Sequence, residues 1–249
     1  MRRNLKPVAT STVSKPPRVR TGKQGSTIFL KTLMAVTGVI FVLYVIAHMY
    51  GNLYKLFDGH AAFNEYSEHL RTIGEPMLPR HGLLTIIEVV LGISVVLHVY
   101  SAVVLWKRAK AARPQRYAVK KSIARSFSSR WMRWGGAFLL LFVIWHLLEF
   151  TNPKINVGDG GNGAAIKHDP YMLVVHSFNV WWLTLIYVLA MIALGMHLRH
   201  GIWSAAQTLG FTSTVRARTI ANIVAVVVAL VVAVGFVIPP LAIAFGGIK

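Results

Sequence analysis

Residues 82–106 read GLLTIIEVVLGISVVLHVYSAVVLW, and this stretch decides the fold class. A helix needs about 20 predominantly apolar residues to cross the hydrocarbon core of a bilayer. Residues 82–106 exceed that length with one acidic residue and no Lys or Arg. Four further stretches meet the same criterion, namely 32–54, 131–150, 171–202 and 220–245. We therefore predict an all-α membrane protein with five transmembrane helices in a bundle.

The composition agrees with this class. The chain is 55% hydrophobic and 14% charged, whereas a soluble domain carries about a quarter charged residues. The net charge of +19 does not indicate nucleic acid, because the basic residues lie between the apolar stretches. There is no cysteine, which excludes disulfides, thioether-attached haem and any iron–sulfur cluster built from this chain's own thiolates.

The distribution of charge predicts the topology. Residues 1–31, 107–130 and 199–219 contain 8, 9 and 3 Lys or Arg and no acid, while the other two loops hold six of the eight acids. The positive-inside rule then places the N-terminus in the cytoplasm and the C-terminus outside. Residues 1–27 form a basic tail that we expect to be disordered, and residues 28–249 form one transmembrane domain.

Four histidines lie in the parts of the first four stretches that we expect to cross the membrane core, one in each stretch. The fourth stretch also contains His176, in first turns that we expect to project beyond the membrane core, and His200 near its end. The predicted topology puts His48 and His146 toward the outside, and we call them the outer pair. It puts His98 and His197 toward the cytoplasm, and we call them the inner pair. Two facing histidines are the geometry of a b-type haem with two axial imidazoles. Gly38 and Gly135-Gly136 lie about 15 Å from the outer histidines along their helices, level with the inner pair, where they leave room for a porphyrin or merely permit close helix packing.

Three segments carry a resemblance to a known family. They are TG at 37–38 with HMYGNL at 48–53, SRWMRWGG at 129–136 with His146, and above all HLRHGIWSAAQTLG at 197–210. They resemble the cytochrome b membrane-anchor subunit of succinate dehydrogenase/fumarate reductase, in its five-helix, single-chain, di-haem form. The resemblance extends from about residue 25 into the fifth helix.

The resemblance implies partners and cofactors. The chain would anchor a flavoprotein subunit and an iron–sulfur subunit on the cytoplasmic face of a bacterial plasma membrane. It would pass electrons from succinate to menaquinone or ubiquinone in the lipid bilayer. The axial ligands of two haem b groups would be the histidines of the outer and inner pairs. Fewer haems, or another metal centre with thiolates from a partner chain, remain open.

Other polar residues are candidates for supporting roles. Arg199 and His200 follow His197 closely enough to reach haem propionates. At the inner helix ends, candidates for a quinone site are Ser26, Lys31, Arg130, Arg133 and Trp203, although interfacial anchoring also explains them. Glu88 and Glu149 lie in the outer half, where an acid would relay protons to or from an outer quinone site or hydrogen-bond a ligand histidine. A structural hydrogen bond also explains them.

Two alternative functions remain. One is the di-haem b anchor of another respiratory oxidoreductase, which the arrangement of one histidine per helix disfavours. The other is a non-redox transporter or scaffold with proton-relay histidines, which would bind no chromophore.

Overall fold

The structure, a computed structural model, describes residues 26–112, 123–152, 154–155, 157 and 168–248. Of residues 123–130 it describes the helical backbone only. The predicted disordered tail therefore lies outside the described residues, apart from its last two positions. Every regular element in the described ranges is helical. The elements are α1 (Thr27–Phe57), α2 (His60–Thr72), α3 (Gly82–Ala111), α4 (Ile123–His146), a π-helical turn (Leu147–Thr151), α5 (Pro170–Phe178), α6 (Trp181–Thr208) and α7 (Val215–Ala244).

Five helical segments in the described parts of the chain are long and apolar enough to cross a membrane. They are Thr27–Phe57, Gly82–Ala111, Trp131–Thr151, Trp181–Thr208 and Val215–Ala244. Their outward faces carry large apolar side chains that no other helix covers, such as Leu141 at 67% exposure and Val96 at 67%. A soluble protein rarely exposes so much continuous apolar surface. The chain is therefore a multi-pass helical membrane protein, as its composition predicts.

The prediction that residues 171–202 form one continuous helix is wrong. The structure divides it into α5 and α6, with a break at Asn179 and Val180. The backbone of Val180 is extended, and the Thr184 hydroxyl donates to the Phe178 carbonyl oxygen at 2.8 Å. A side chain thus satisfies a carbonyl group that the broken helix leaves without its usual partner. His176, predicted to project beyond the membrane core, lies on the short helix α5.

The loop between the first two spans contains a helix that the hydropathy pattern did not predict. Helix α2 is amphipathic and buries Phe63 against Tyr171, which begins the first turn of α5. The two short helices α2 and α5 pack together and form a layer, which we call the cap, over one end of the bundle.

Polar contacts hold the cap together. Asp169, the N-cap residue of α5, accepts from the Met172 amide at 3.1 Å. It also contacts two side chains of α2, His60 at 2.6 Å and Asn64 at 2.8 Å. Burial opposes the charged form of Asp169, but the hydrogen bonds from Asn64, His60 and Met172 outweigh it, so the pKa of this carboxyl group is lowered. The carboxylate is therefore the form that fastens α5 to α2.

The spanning helices form a four-helix bundle with α7 outside it. Helix α1 packs against α3 and α6, and α6 packs against α4, so the order around the bundle is α3, α1, α6, α4. The diagonal pairs, α1 with α4 and α3 with α6, do not pack closely against each other in the described residues. Helix α7 packs mainly along α6. The space between the diagonal helices is where a cofactor of a helical bundle would lie.

Candidate cofactor-binding site

Each histidine pair spans one diagonal of the bundle. His48 on α1 faces His146 on α4 with 6.0 Å between the ring centroids. His98 on α3 faces His197 on α6 with 6.4 Å between the centroids. The structure thus brings together the same two pairs that depth in the sequence predicted.

The spacing within each pair fits two ligands on one metal ion. Metal–imidazole bonds of about 2.1 Å on opposite sides of an ion hold the two ring centroids roughly 6.4 Å apart. The observed separations of 6.0 and 6.4 Å agree with this value. Both centroid separations are therefore compatible with two imidazoles bound to one ion.

The two pairs lie at different depths. A Cβ atom placed on Gly38 would lie 3.6 Å from Cε1 of His98, and one on Gly136 would lie 3.6 Å from Cε1 of His197. Gly38 and Gly136 each precede the outer histidine of their own helix by ten residues, which corresponds to about 15 Å along a helix axis. The glycines therefore flank the inner pair, at the level that the sequence predicted.

In the inner pair, Thr37 determines which nitrogen of His98 carries the proton. The buried Thr37 hydroxyl donates to the Leu33 carbonyl oxygen at 2.8 Å, and its oxygen lies 3.0 Å from Nδ1 of His98. Because its one hydrogen is already donated, this oxygen accepts from the Nδ1–H group of His98. The Nε2 atom of a neutral His98 ring then carries the lone pair that a metal needs.

The other inner histidine has no such partner. Nδ1 of His197 is buried and makes no hydrogen bond, although an unsatisfied buried polar atom costs about 1–3 kcal/mol. This atom lies 3.9 Å from the Cβ position of Gly136. An orphaned imidazole nitrogen beside a glycine is consistent with a ring positioned for a bound group rather than for packing.

In the outer pair, a chain of hydrogen bonds leads from His146 to a buried acid. Nδ1 of His146 lies 3.2 Å from the Tyr187 hydroxyl, which donates to Oε2 of Glu149 at 2.7 Å. The same Oε2 accepts from Nε1 of Trp145 at 2.9 Å. Since Tyr187 gives its hydrogen to Glu149, its oxygen accepts from Nδ1–H of His146. His146 is thus fixed with Nε2 as the coordinating atom.

His48 differs from His98 and His146. The Asn52 amide nitrogen donates to the His48 carbonyl oxygen at 2.8 Å and lies 3.2 Å from Nδ1 of the His48 ring. An amide nitrogen is a donor, so Nδ1 accepts and the proton of a neutral His48 ring is on Nε2. Coordination through Nε2 would therefore require the other neutral tautomer, with the proton on Nδ1, and the Asn52 donor disfavours that tautomer.

The set of donors favours a metal held in a macrocycle. In the described ranges, no three His, Asp or Glu side chains converge to hold an ion, and the chain has no cysteine. A bare transition metal needs at least three protein ligands, whereas haem iron takes four nitrogens from the porphyrin and needs axial ligands only. Two isolated pairs of imidazoles fit haem b at both levels.

The other candidate residues do not form one site. Ser26 is the N-cap of α1 and accepts from the Phe29 amide at 3.1 Å. No hydrogen bond or ion pair between described side chains joins it to Lys31, Arg133 or Trp203. The side chain of Arg130 lies outside the described residues. Five of the candidates other than Ser26 are exposed, namely Lys31, Glu88, Arg133, Arg199 and His200.

Sequence reasoning missed the partners of the histidines. Thr37, Asn52 and Tyr187 contact the rings, and Trp145 donates to buried Glu149. Thr37 and Asn52 belong to the segments that carried the family resemblance, and that position is the one available signal. For Tyr187 the sequence carried no signal, because tyrosine occurs in many different environments in membrane helices.

The chain matches no family model, no curated protein and no solved structure.

Proposed function

We propose that the chain is the membrane-anchor subunit of a succinate:quinone oxidoreductase. It would bind two haem b groups at the outer and inner pairs and pass electrons from an iron–sulfur partner to a membrane quinone. The haem assignment rests on one observation: each diagonal of the bundle carries a pair of facing imidazoles. The ring centroids are 6.0 Å apart in the outer pair and 6.4 Å apart in the inner pair. The assignment to succinate rests on the sequence resemblance.

The residues of this chain would have separate roles in binding the haem groups and the partners. A haem at each pair supplies reversible one-electron chemistry when bound. His98 and His146 would each present Nε2, because Thr37 and Tyr187 accept from their Nδ1–H groups. Gly38 and Gly136 leave the flanks of the inner pair open. The apolar spanning helices exclude water, and the basic loops predicted to be cytoplasmic would attract partner subunits and anionic lipid.

The proposal extends to the partners and the membrane. The flavoprotein and iron–sulfur subunits would sit on the cytoplasmic side, and the topology would place the N-terminus there and the C-terminus outside. The quinone would bind near the inner helix ends, where Lys31, Arg133 and Trp203 are the described candidates. The host membrane would be a bacterial plasma membrane.

A reduced-minus-oxidised visible spectrum of the purified complex tests the proposal. We expect two b-type haems per chain and succinate-dependent quinone reduction. His48→Ala and His98→Ala should each remove one haem, while His69→Ala, which changes an exposed cap residue, should remove none. A colourless wild-type complex that still reduces quinone would overturn the haem assignment, and a coloured complex without succinate activity would overturn the choice of enzyme.

A further inference from the structure

Glu149 is a buried acid whose position the proposed function does not require. It is 1% exposed and lies within the π-helical turn that follows α4. An ionisable group within a membrane helix is costly and marks a functional site by default. Its Oε2 atom accepts two hydrogen bonds, one from Trp145 at 2.9 Å and one from Tyr187 at 2.7 Å. Neither donor touches the inner pair, and Tyr187 contacts a histidine of the outer pair.

The π-helical turn brings the acid to Tyr187. It begins at Leu147, directly after His146, and spans five residues. A π-helical turn widens a helix locally and is frequent at functional sites. Here it presents the Glu149 carboxyl group to α6, where it meets the tyrosine that contacts His146. The local widening and the hydrogen-bond chain therefore belong to one arrangement.

The ring of Tyr187 is fixed independently of its hydroxyl group. It packs edge-on against Phe142 and Phe178, with ring centroids 4.8 and 4.9 Å away. Tyr187 is 5% exposed. Removal of the hydroxyl alone should therefore leave the ring, and the packing of α6 on α4, in place.

We propose that Tyr187 and Glu149 are positioning residues for His146. They hold its ring in the tautomer that leaves Nε2 free to coordinate, and they increase the basicity of that ring through the carboxyl group at the end of the chain. Outer-shell hydrogen bonds of this kind orient a ligand histidine and make it a stronger base. The inner pair has a weaker counterpart. The Thr37 hydroxyl group, which accepts from His98, donates only to a backbone carbonyl oxygen.

The two pairs should therefore differ in a measurable way. A more basic axial imidazole stabilises the oxidised iron and lowers its reduction potential. The chain of Tyr187 and Glu149 should lower the potential at the outer pair and leave the inner pair unaffected. This inference rests on the proposed function, because it concerns the group bound at the outer pair.

Spectroscopic redox titration of the whole complex tests the inference with three variants. Tyr187→Phe should raise the potential of the outer haem and weaken its binding by about 10–100-fold, the usual effect of losing an outer-shell partner. Glu149→Gln retains an oxygen that accepts from Tyr187 and should raise the potential by less. Tyr44→Phe is the matched control, because Tyr44 stacks on His48 with 5.4 Å between ring centroids. It should leave both potentials unchanged.

The inner haem in each sample is an internal reference, and a His48→Ala complex, which should retain only that haem, identifies its step. An unchanged outer potential in Tyr187→Phe, even with a lower haem content, would overturn the inference and leave the proposed function standing. An equal shift at both haems would overturn it as well, since it would indicate a general loss of packing. A wild-type complex without haem would instead overturn the proposed function, and the inference with it.

Discussion

Substitution of the glycines beside the inner pair separates a cofactor site from simple helix packing. We consider Gly38→Ala and Gly136→Ala. In the structure, each added Cβ atom would lie 3.6 Å from Cε1 of its neighbouring histidine, which is ordinary van der Waals contact. The chain alone therefore has room for both methyl groups. If the glycines served packing only, alanine should be neutral or should stabilise the helix by up to about 1 kcal/mol.

The expectation reverses when a group is bound between His98 and His197. A porphyrin extends sideways from the line that joins its two axial rings, and a methyl group beside either ring competes for that space. Overpacking a filled interior costs about 1–3 kcal/mol, which corresponds to roughly 5–150-fold weaker binding. The outer pair lies about 15 Å away along the helices and should be unaffected.

The assay is haem content per chain together with thermal unfolding in detergent. Gly92→Ala on α3 and Gly201→Ala on α6 are matched controls, because no atom lies within 4 Å of a Cβ placed at either position. We expect the inner haem to be lost selectively from Gly38→Ala and Gly136→Ala and retained in the controls. Full inner haem content in both glycine variants would refute the reasoning and leave close helix packing as their role.

Three further substitutions test the described contacts. Thr37→Val keeps the shape of the side chain but removes the acceptor of His98 Nδ1–H, so haem binding at the inner pair should weaken about 10–100-fold with the outer haem intact. Asn52→Asp replaces the donor facing His48 with an acceptor, and a titration of haem into the cofactor-depleted complex should show tighter binding at the outer pair. Asp169→Ala removes the N-cap of α5 and should cost about 0.5–2 kcal/mol, seen as a lower unfolding temperature in detergent. Because the pKa of Asp169 is lowered on folding, its contribution exists above the pKa of the unfolded chain and disappears as the pH falls through the folded value. The wild-type complex should lose cap stability in acid, and the variant should not.

The sequence predicted the spans because the bilayer constrains length and composition strongly. Residues 82–106 require no knowledge of neighbouring helices to be identified as a span, and α3 does occupy this stretch. The pairing of histidines followed from the same constraint, since depth along a helix of known direction reduces to a count of residues. Equal depth brings two rings to the same level of the bundle, while the rotation of each helix decides whether they face each other.

The sequence could not predict what depends on the rotation of each helix. Whether Tyr187 faces His146 or lipid changes with a rotation of less than half a turn, and the hydropathy of α6 does not determine it. The break at Asn179 was hidden for a related reason, because α5 and α6 are both apolar and their junction is made by a single hydroxyl of Thr184. Helix α2 was not predicted because hydropathy identifies long apolar spans, whereas α2 is short and amphipathic and buries one apolar residue, Phe63.

Helix α6 contributes to both levels of the proposed site. It contributes His197 to the inner pair and, ten residues earlier, Tyr187 to the outer pair, so one helix of fixed rotation serves two levels about 15 Å apart. Helix α7 carries no histidine, but it packs along α6, where a Cβ placed on Gly195 would lie 3.1 Å from Cβ of Ala233. Such close contact between small residues is how membrane helices lock their relative rotation. Helix α7 therefore contributes to the proposed site by packing alone: it restrains α6, which carries residues of both levels.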